Sequence, residues 1–249
     1  MEEILKKDQY NFSVLGDNDQ SLQLILLANQ SVYTQIQNII YASGKLSIRK
    51  LKQSCWNKFT QIFSSKTNFN HRLKNRNGAV EYVGLSKPTG GKIFAVNPAI
   101  IGDILCARSN TILAFTSGVQ IQEKSDLMVF LQKDNWKEIC GEGILYIQTA
   151  GFLTEKRLGV DEEISVAFNS LVAFSKDIKI THSSTQTSFS NLYFYDWAFV
   201  KIKGPGVIYM ECTGWSRFER VKQVKKLEII YFLLILMAGI IILMTPYRK

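Results

Sequence analysis

The chain has 249 residues, 46% of them apolar and 20% charged, which excludes a disordered chain and allows one large or two small folded domains. The formal charge of +9 comes from two segments: residues 44–76 hold nine basic residues and no acidic one, and residues 217–249 hold seven basic and two acidic residues. None of the four cysteines forms a C-x-x-C pair, which argues against a zinc ribbon, a redox dithiol or a small disulfide scaffold.

Residues 1–9 are predicted to be an N-terminal lead that precedes the folded domain. Their sequence begins Met1-Glu2-Glu3-Ile4 and has neither the apolar core of a signal peptide nor the Arg-rich, acid-poor character of a transit peptide. We therefore expect any organelle address to be internal or C-terminal, or to have been removed before this numbering begins.

The sequence from residue 10 to residue 216 predicts a β-rich domain. Turn signals such as Gly90-Gly91 recur between short apolar segments. Polar and apolar residues alternate, as in strands with one buried face, in Leu22–Leu26, Ala79–Val83, Ile164–Phe168 and Phe199–Ile202. We predict a mainly β fold, a repeat-built antiparallel β-sandwich or β-helix, with one amphipathic helix and a C-terminal transmembrane helix.

The amphipathic helix is predicted at about residues 46–64. Apolar residues from Ile48 to Phe63 recur at spacings of three and four, and basic residues occupy much of the remaining surface. Such a helix either packs its apolar face on the β-domain, lies in a membrane interface and attracts anionic lipid, or binds an acidic protein or nucleic acid. Nucleic acid is disfavoured because no RNA-binding signature accompanies the segment. The candidate residues are Arg49, Lys50, Lys52, Trp56 and Lys58.

An internal repeat supports a repeated β architecture. Ile139–Gln148 aligns without gaps on Ile202–Glu211, and each copy reads as a strand, a G-x-G turn and a second strand that carries a tyrosine. Glycines suit such a turn because a Cβ would forbid its backbone angles. The four turn glycines are Gly141, Gly143, Gly204 and Gly206.

These two copies resemble the recurring motif of the altered-inheritance-of-mitochondria protein 24 family. Residues 158–174 and 104–119 are similar to two further segments of that family, and the resemblance extends from about Tyr10 to Trp215. It implies a β-rich fold like that of the tryptophan RNA-binding attenuator protein, built from stacked repeats. It also implies a mitochondrial role in inner-membrane organisation without an assigned catalytic activity.

No catalytic constellation is visible in the sequence. His71 and His182 have no His or Cys at metal-ligand spacing, and no nucleophile elbow surrounds any Ser or Cys. The acidic run Asp161-Glu162-Glu163 is better explained as a solvated turn than as a pair of catalytic carboxylates. We predict that the protein is not an enzyme and uses no metal or other cofactor.

The tail predicts a membrane anchor. Residues 217–228 form a basic juxtamembrane linker and residues 229–245 a transmembrane helix, whose core from Ile229 to Met244 is sixteen residues without a charge. At ~1.5 Å per residue this run spans roughly 24 Å, so basic flanks that reach the headgroups help a short span. The anchor residues are Ile229, Phe232, Leu236, Gly239, Ile242 and Met244, and the anionic-lipid flanks are Arg217, Arg220, Lys222, Lys225, Lys226, Arg248 and Lys249.

The distribution of the flanking charges predicts the orientation. Five flanking bases precede the run and two follow it, which favours a β-domain on the matrix or cytosolic side. We expect a single-pass protein of the mitochondrial inner membrane, the outer membrane or endoplasmic reticulum being the alternative. The expected function is a non-catalytic scaffold or accessory subunit of a respiratory or cristae-organising complex, with membrane lipid such as cardiolipin and protein subunits as partners. The alternative is a module that binds anionic lipid or RNA through residues 45–76.

Overall fold

The computed structural model describes residues 11–51, 69, 71–101, 104–123, 136–182 and 199–212. These residues form nineteen β-strands, three short 3₁₀ turns and one four-residue helix, α1 (Pro98–Ile101). The prediction of a mainly β antiparallel fold is confirmed. The strands also follow a repeated order, of which the sequence revealed only a part.

Strand β1 (Asn11–Leu15) precedes a block of six strands that occurs three times. The first repeat contains β2 (Ser21–Leu26), β3 (Ser31–Thr34), β4 (Ile39–Ala42), β5 (Ser47–Lys50), β6 (His71–Lys74) and β7 (Glu81–Leu85). The second contains β8 (Lys92–Val96), β9 (Ile104–Arg108), β10 (Ile112–Thr116), β11 (Val119–Glu123), β12 (Trp136–Gly141) and β13 (Leu145–Thr149). The third contains β14 (Leu153–Leu158), β15 (Glu163–Ala167), β16 (Leu171–Ser175), β17 (Lys179–His182), β18 (Phe199–Lys203) and β19 (Gly206–Glu211).

Each repeat contributes to two sheets. Its first, sixth and third strands pair in one sheet, and its second, fifth and fourth strands pair in the next. A 3₁₀ turn joins the second strand to the third in every repeat, at Ile36–Asn38, Ser109–Thr111 and Phe168–Ser170. The strand orders are β1-β2-β7-β4 in sheet A, β5-β6-β3-β10-β13-β8 in sheet B, β11-β12-β9-β16-β19-β14 in sheet C and β15-β18-β17 in sheet D.

Sheets B and C are each assembled from two repeats. The joint in sheet B pairs β10 with β3, with Ala114 opposite Thr34. The joint in sheet C pairs β16 with β9, with Ala173 opposite Ala107. Counted from the 3₁₀ turns, the two joints have the same register, so one mode of strand pairing connects successive repeats.

Three hydrophobic cores separate the four sheets. Leu24 of sheet A shares a core with Leu113 of sheet B. Leu105 of sheet C lies with residues of sheet B in the second core, and Phe174 of sheet C lies with Ile202 of sheet D in the third. The inner sheets B and C therefore have apolar residues on both faces, and each repeat is a β-sandwich that shares a layer with its neighbour.

The predicted amphipathic helix is wrong at its start. Ser47–Lys50 forms strand β5, and Ile48 lies opposite Leu73 of β6. The spacing of the apolar residues alone did not distinguish a helix from a strand at these positions. The strand forms because pairing with β6 satisfies the backbone hydrogen-bonding groups of this segment. The part of the predicted helix from residue 52 to residue 64 lies outside the described residues.

The predicted transmembrane helix at residues 229–245 also lies outside the described residues. Within the part of the chain that the structure covers, no helix is long and apolar enough to span a bilayer. The membrane anchor therefore stays a prediction from the sequence.

Candidate functional site

The two G-x-G turns are corners that pass the chain from one sheet to the next. The first leads from β12 in sheet C to β13 in sheet B, and the second leads from β18 in sheet D to β19 in sheet C. The predicted order of strand, turn and strand is confirmed. The flanking strands do not pair with each other, so each motif connects two layers instead of closing a hairpin.

Two of the four motif glycines have backbone angles that favour glycine. Gly141 has a φ of +98° and Gly206 a φ of +149°. The other two glycines are required by close approach: a Cβ on Gly143 would lie 2.5 Å from Thr116 Oγ1, and one on Gly204 would lie 2.4 Å from a backbone carbonyl oxygen. The predicted role of these glycines in the turn is therefore explained by two different physical constraints.

A hydroxyl group fastens the corner in every repeat. It belongs to the last residue of the third strand or the residue that follows it, and it accepts a hydrogen bond from a backbone N–H near the start of the sixth strand. The donor and acceptor pairs are Tyr82 N to Ser43 Oγ at 3.3 Å, Ile144 N to Thr116 Oγ1 at 2.9 Å and Val207 N to Ser175 Oγ at 3.0 Å. The sequence analysis missed these hydroxyls because each bond joins residues 28 or more positions apart.

The first repeat builds its corner without the glycine motif. Asn75 and Glu81 stand where the later repeats have their two glycines. The Asn75 side chain donates to the Leu26 carbonyl at 2.8 Å and to the Ala79 carbonyl at 2.7 Å. The Ser43 hydroxyl donates to the Glu81 carboxylate, which lowers the pKa of that carboxyl. Buried polar side chains replace the close backbone approach of the other two corners.

The motif tyrosine also changes place in the first repeat. In the later repeats a tyrosine lies opposite an alanine, as in the pair Tyr146 and Ala114. In the first repeat Gly84 lies opposite Tyr41, so the aromatic ring comes from the other strand of the pair. A Cβ on Gly84 would lie 2.2 Å from the Tyr41 ring. The cross-strand position accepts one aromatic ring, from either strand.

The residue that ends each later motif copy ties its repeat to the preceding one. Gln148 accepts a hydrogen bond from the Lys87 backbone N–H at 2.7 Å and donates to Ser86 Oγ at 3.1 Å. Glu211 accepts a hydrogen bond from Ala150 N at 3.3 Å. These side chains form hydrogen bonds with the linkers between repeats, so the polar residue at the end of the motif has a structural role.

Lys87 is the most strongly perturbed cation among the described residues. Its ammonium donates to the Asn110 carbonyl oxygen and, at 3.3 Å, to the Gln148 carbonyl oxygen. Burial lowers the pKa of Lys87 to about 7, and the negative charge of Glu211 opposes this shift. A small pocket beside these groups is lined by Thr89 and Asn110, among others. The sequence analysis missed Lys87 because its neighbours come from three distant segments.

The acidic run at 161–163 forms a turn and the start of β15. Asp161 pairs with Lys203 at 2.7 Å, and this ammonium lowers the pKa of the carboxyl. Glu162 accepts a hydrogen bond from Gly159 N at 2.9 Å, which, with Lys156, lowers its pKa as well. A carboxyl whose pKa is lowered remains ionised at neutral pH, as expected for a surface turn and unlike a general acid.

Strand β5 places part of the basic segment at the edge of sheet B. Arg49 and Lys50 are exposed there, and Arg49 lies opposite Arg72 of β6. The Arg72 guanidinium lies over the Tyr33 ring, 5.7 Å from its centroid. Lys52, Trp56 and Lys58 lie outside the described residues, as do the membrane-anchor residues from Ile229 to Met244 and the basic flanks from Arg217 to Lys249.

The comparisons with known proteins agree with this architecture. The solved structure of protein SPYM3_0169 from Streptococcus pyogenes is similar with a TM-score of 0.69 and 15% sequence identity, and covers 87% of this chain and 100% of its own. At this low sequence identity the similarity shows a shared fold and nothing further. No curated protein matches the sequence. The family model described as Mitochondrial biogenesis AIM24 matches residues 12–213, which include all three repeats. The resemblance inferred from the motifs is thus confirmed, and the chain belongs to the Mitochondrial biogenesis AIM24 family.

Proposed function

We propose that this protein is a non-catalytic scaffold or accessory subunit anchored in the mitochondrial inner membrane, with its β-domain in the matrix. The observation that carries the proposal is a three-repeat β-domain of the AIM24 family followed by a sixteen-residue uncharged run between basic flanks. The family description, mitochondrial biogenesis, supports a mitochondrial location. The excess of basic residues before the run supports a matrix-facing domain.

The internal use of polar side chains supports a role in assembly. Gln148, Glu211 and Arg108 are buried, and each bonds to backbone groups of another repeat or of the linker between repeats. Arg108, for example, donates to the carbonyl oxygens of Phe168 at 2.8 Å and Asn169 at 3.1 Å. These three polar side chains, of types that also occur in catalytic sites, thus bond to the backbone and hold the repeats together. This use of polar side chains favours a rigid interaction domain.

The anchor is tested by alkaline carbonate extraction of mitochondria isolated from cells that express the full chain. We expect the natural protein to stay with the membrane pellet. Phe232→Lys combined with Leu236→Lys should release it, because a lysine at the centre of a span, where Leu236 lies, costs about 3 kcal/mol on insertion, and the second lysine adds a smaller cost. The matched control is Phe232→Leu with Leu236→Ile, which keeps the run apolar. Extraction of the natural protein would refute the anchor.

The orientation and the scaffold role need two further measurements. In mitoplasts the β-domain should resist added protease until the inner membrane is opened; digestion in intact mitoplasts would contradict a matrix-facing domain. After gentle solubilisation the protein should migrate on native gels with other membrane proteins, identified by mass spectrometry of the band. Migration without any other protein would contradict the scaffold role.

A second candidate function is the binding of anionic lipid through the edge of sheet B. The observation that favours it is the pair Arg49 and Arg72, since like charges directly opposite on neighbouring strands repel each other unless an anion lies between them. Lys74 continues the basic surface along β6. An anionic headgroup would relieve the repulsion between these side chains.

This candidate is tested by flotation of the detergent-free β-domain with cardiolipin vesicles, alongside the full chain reconstituted in the same lipid. Arg49→Ser with Lys74→Ser should weaken vesicle binding at least several-fold, with a smaller effect at high salt. Lys176→Ser with Lys179→Ser, at exposed positions of the third repeat, is the charge-matched control. Equal binding by both double variants would reject the lipid site, and binding of RNA without binding of vesicles would replace it.

A further inference from the structure

The backbone of Lys87 is fixed on both sides in the linker between the first two repeats. Its N–H donates to Gln148 Oε1 at 2.7 Å, and its carbonyl oxygen accepts a hydrogen bond from Gly90 N at 3.0 Å. The Ser86 hydroxyl donates to the same carbonyl oxygen at 3.3 Å. These bonds hold the residue in place, so its side chain extends in a defined direction toward the second repeat.

The nitrogen at the end of this side chain has two hydrogen-bond acceptors among the described residues. They are the backbone carbonyl oxygens of Asn110 and, at 3.3 Å, of Gln148. An ammonium has three N–H donors, whereas a neutral amine has two N–H donors and one lone pair. The two carbonyl oxygens therefore satisfy every donor of the neutral amine and leave its lone pair directed away from them.

The small pocket beside Lys87 connects this nitrogen with the surface. Thr89 and Asn110 line it and are exposed, and Thr111 and Glu211 line it and are buried. The cavity volume is ≈ 10 Å³, which is room for about one water molecule or one methyl group. A small reagent can therefore reach the nitrogen, and a short group attached to it has space.

The protonation of Lys87 is controlled by two opposing effects. Desolvation lowers its pKa to about 7, and the negative charge of Glu211, from the third repeat, favours the charged form. About half of the Lys87 side chains are therefore neutral at pH 7, whereas an exposed lysine with a pKa of about 10.4 is neutral in roughly one molecule in 2,500. Because burial destabilises the ammonium without withdrawing electrons from the nitrogen, the neutral amine stays a good nucleophile.

We propose that Lys87 Nζ is an acylation site that takes a short, uncharged acyl group from a thioester. The lone pair of the amine attacks the thioester carbonyl carbon, and the carbon–sulfur bond breaks. The thiolate leaves and takes up the proton that the nitrogen loses, so the products are an amide and a free thiol. Acetyl fits the volume of the pocket, whereas an acyl group that carries a carboxylate is repelled by Glu211.

Acylation of Lys87 changes the contact between the first two repeats. The amide nitrogen keeps one N–H, so one of the two carbonyl oxygens, of Asn110 or Gln148, loses its donor. Glu211 also loses the positive charge near it. The linker at residues 86–91 should then be held less firmly, and its amide hydrogens should exchange faster in the acetylated chain.

The test is treatment of the full chain in mild detergent at pH 7 with S-acetyl-N-acetylcysteamine, a small uncharged thioester. Mass spectrometry follows the acetylated fraction of each lysine with time. Lys87 should react at least about ten-fold faster than the exposed Lys176 and Lys179. In chains unfolded with guanidinium chloride the three lysines should react at equal rates, because the pocket is lost. The S-succinyl analogue should give Lys87 a smaller advantage than the acetyl probe.

Three results would overturn the inference. The first is a Lys87 rate in the folded chain that is no higher than that of Lys176. The second is an advantage of Lys87 that persists after unfolding, which would place its cause in the local sequence. The third is an equal advantage with the succinyl probe, which would reject the preference for an uncharged acyl group.

A variant of the buried carboxylate tests the electrostatic part of the argument. Glu211→Gln keeps an oxygen that can accept the hydrogen bond from Ala150 N and removes the charge that favours the protonated amine. At pH 6, where most Lys87 side chains are protonated, this variant should react several-fold faster at Lys87 than the natural chain. Glu142→Gln, at an exposed corner position, is the control that should leave the rate unchanged. Equal Lys87 rates in the natural chain and Glu211→Gln would contradict the proposal.

Discussion

The inner and outer sheets of this protein use different residue patterns to form the same kind of strand. Strands β10, β13 and β16 in sheets B and C are buried at every position. Strand β2 of sheet A has every second residue buried, and strand β18 of sheet D alternates between exposed and buried residues. The number of layers that cover a strand decides its pattern, so near-continuous apolar runs occur here in antiparallel sheets as they do in buried parallel ones.

The largest expected effect is the loss of an inner-sheet side chain. Leu145 of β13 is fully buried in the core between sheets B and C. Leu145→Ala should lower the free energy of unfolding by about 3 kcal/mol, since it removes apolar contacts and leaves a cavity. Phe199→Ala on sheet D, where the ring is 46% exposed, should cost about 0.5 kcal/mol. Denaturant unfolding measures both, and similar losses would refute the distinction between inner and outer sheets.

Removal of a corner hydroxyl should destabilise the protein by less than the loss of a buried leucine from an inner sheet. Thr116 is fully buried, and Thr116→Val leaves the Ile144 N–H without its acceptor at nearly unchanged volume. We expect a loss of about 2 kcal/mol in the free energy of unfolding, the cost of a buried donor left unsatisfied. Ser175→Ala at the next corner is the second test, and Thr154→Val, at an exposed position of β14, is the control. No loss at either corner would show that the hydroxyls are dispensable.

The exchanged tyrosine gives a test within sheet A. Gly84→Ala brings a methyl group against the Tyr41 ring and should cost about 1 kcal/mol, because that ring is partly exposed and is able to move. Tyr41→Ala should remove most of this cost, so a double-mutant cycle on unfolding free energies should give a coupling of similar size. Additive effects of the two changes would mean that the ring and the glycine are not matched.

The last prediction is a pH dependence that involves Lys87. Burial lowers the pKa of Lys87 from 10.5 to about 7, so between these values the unfolded chain binds more protons than the folded chain. The free energy of unfolding should therefore rise with pH across that window and fall again as the pH returns toward 7. Lys87→Met should flatten this rise in denaturant titrations, with Lys176→Met as the control for loss of a positive charge. An unchanged slope in Lys87→Met would contradict the assignment.

The sequence predicted the outer sheets better than the inner ones. The alternating segments at Leu22–Leu26 and Phe199–Ile202 lie in sheets A and D, where one face of each strand is solvated. The repeat at 139–148 and 202–211 identified the corners, because glycines constrain a turn locally. The sharing of sheets B and C between repeats was not predictable from local patterns, since it depends on pairs such as β3 with β10 that lie far apart in the chain.

The residues of the candidate site also differ in whether the local sequence predicts them. Gly141 and Gly206 were found because their role depends on neighbouring backbone angles. Lys87 and Asn75 were missed because their partners are distant in sequence or carry no motif of their own. The helix predicted at about residues 46–64 is wrong at residues 47–50, because the hydrogen-bond partner that selects a strand there, β6, begins more than twenty residues later.

The identical register of the two internal joints has a consequence for how such a chain arises. A six-strand unit whose second strand fits the third strand of the next unit needs no new contact when its coding segment is duplicated. Growth by tandem duplication therefore adds a whole sandwich, and the sheet at the point of insertion changes from an outer to an inner layer. Its formerly solvated face then lies against a second core, where burial of apolar residues stabilises it.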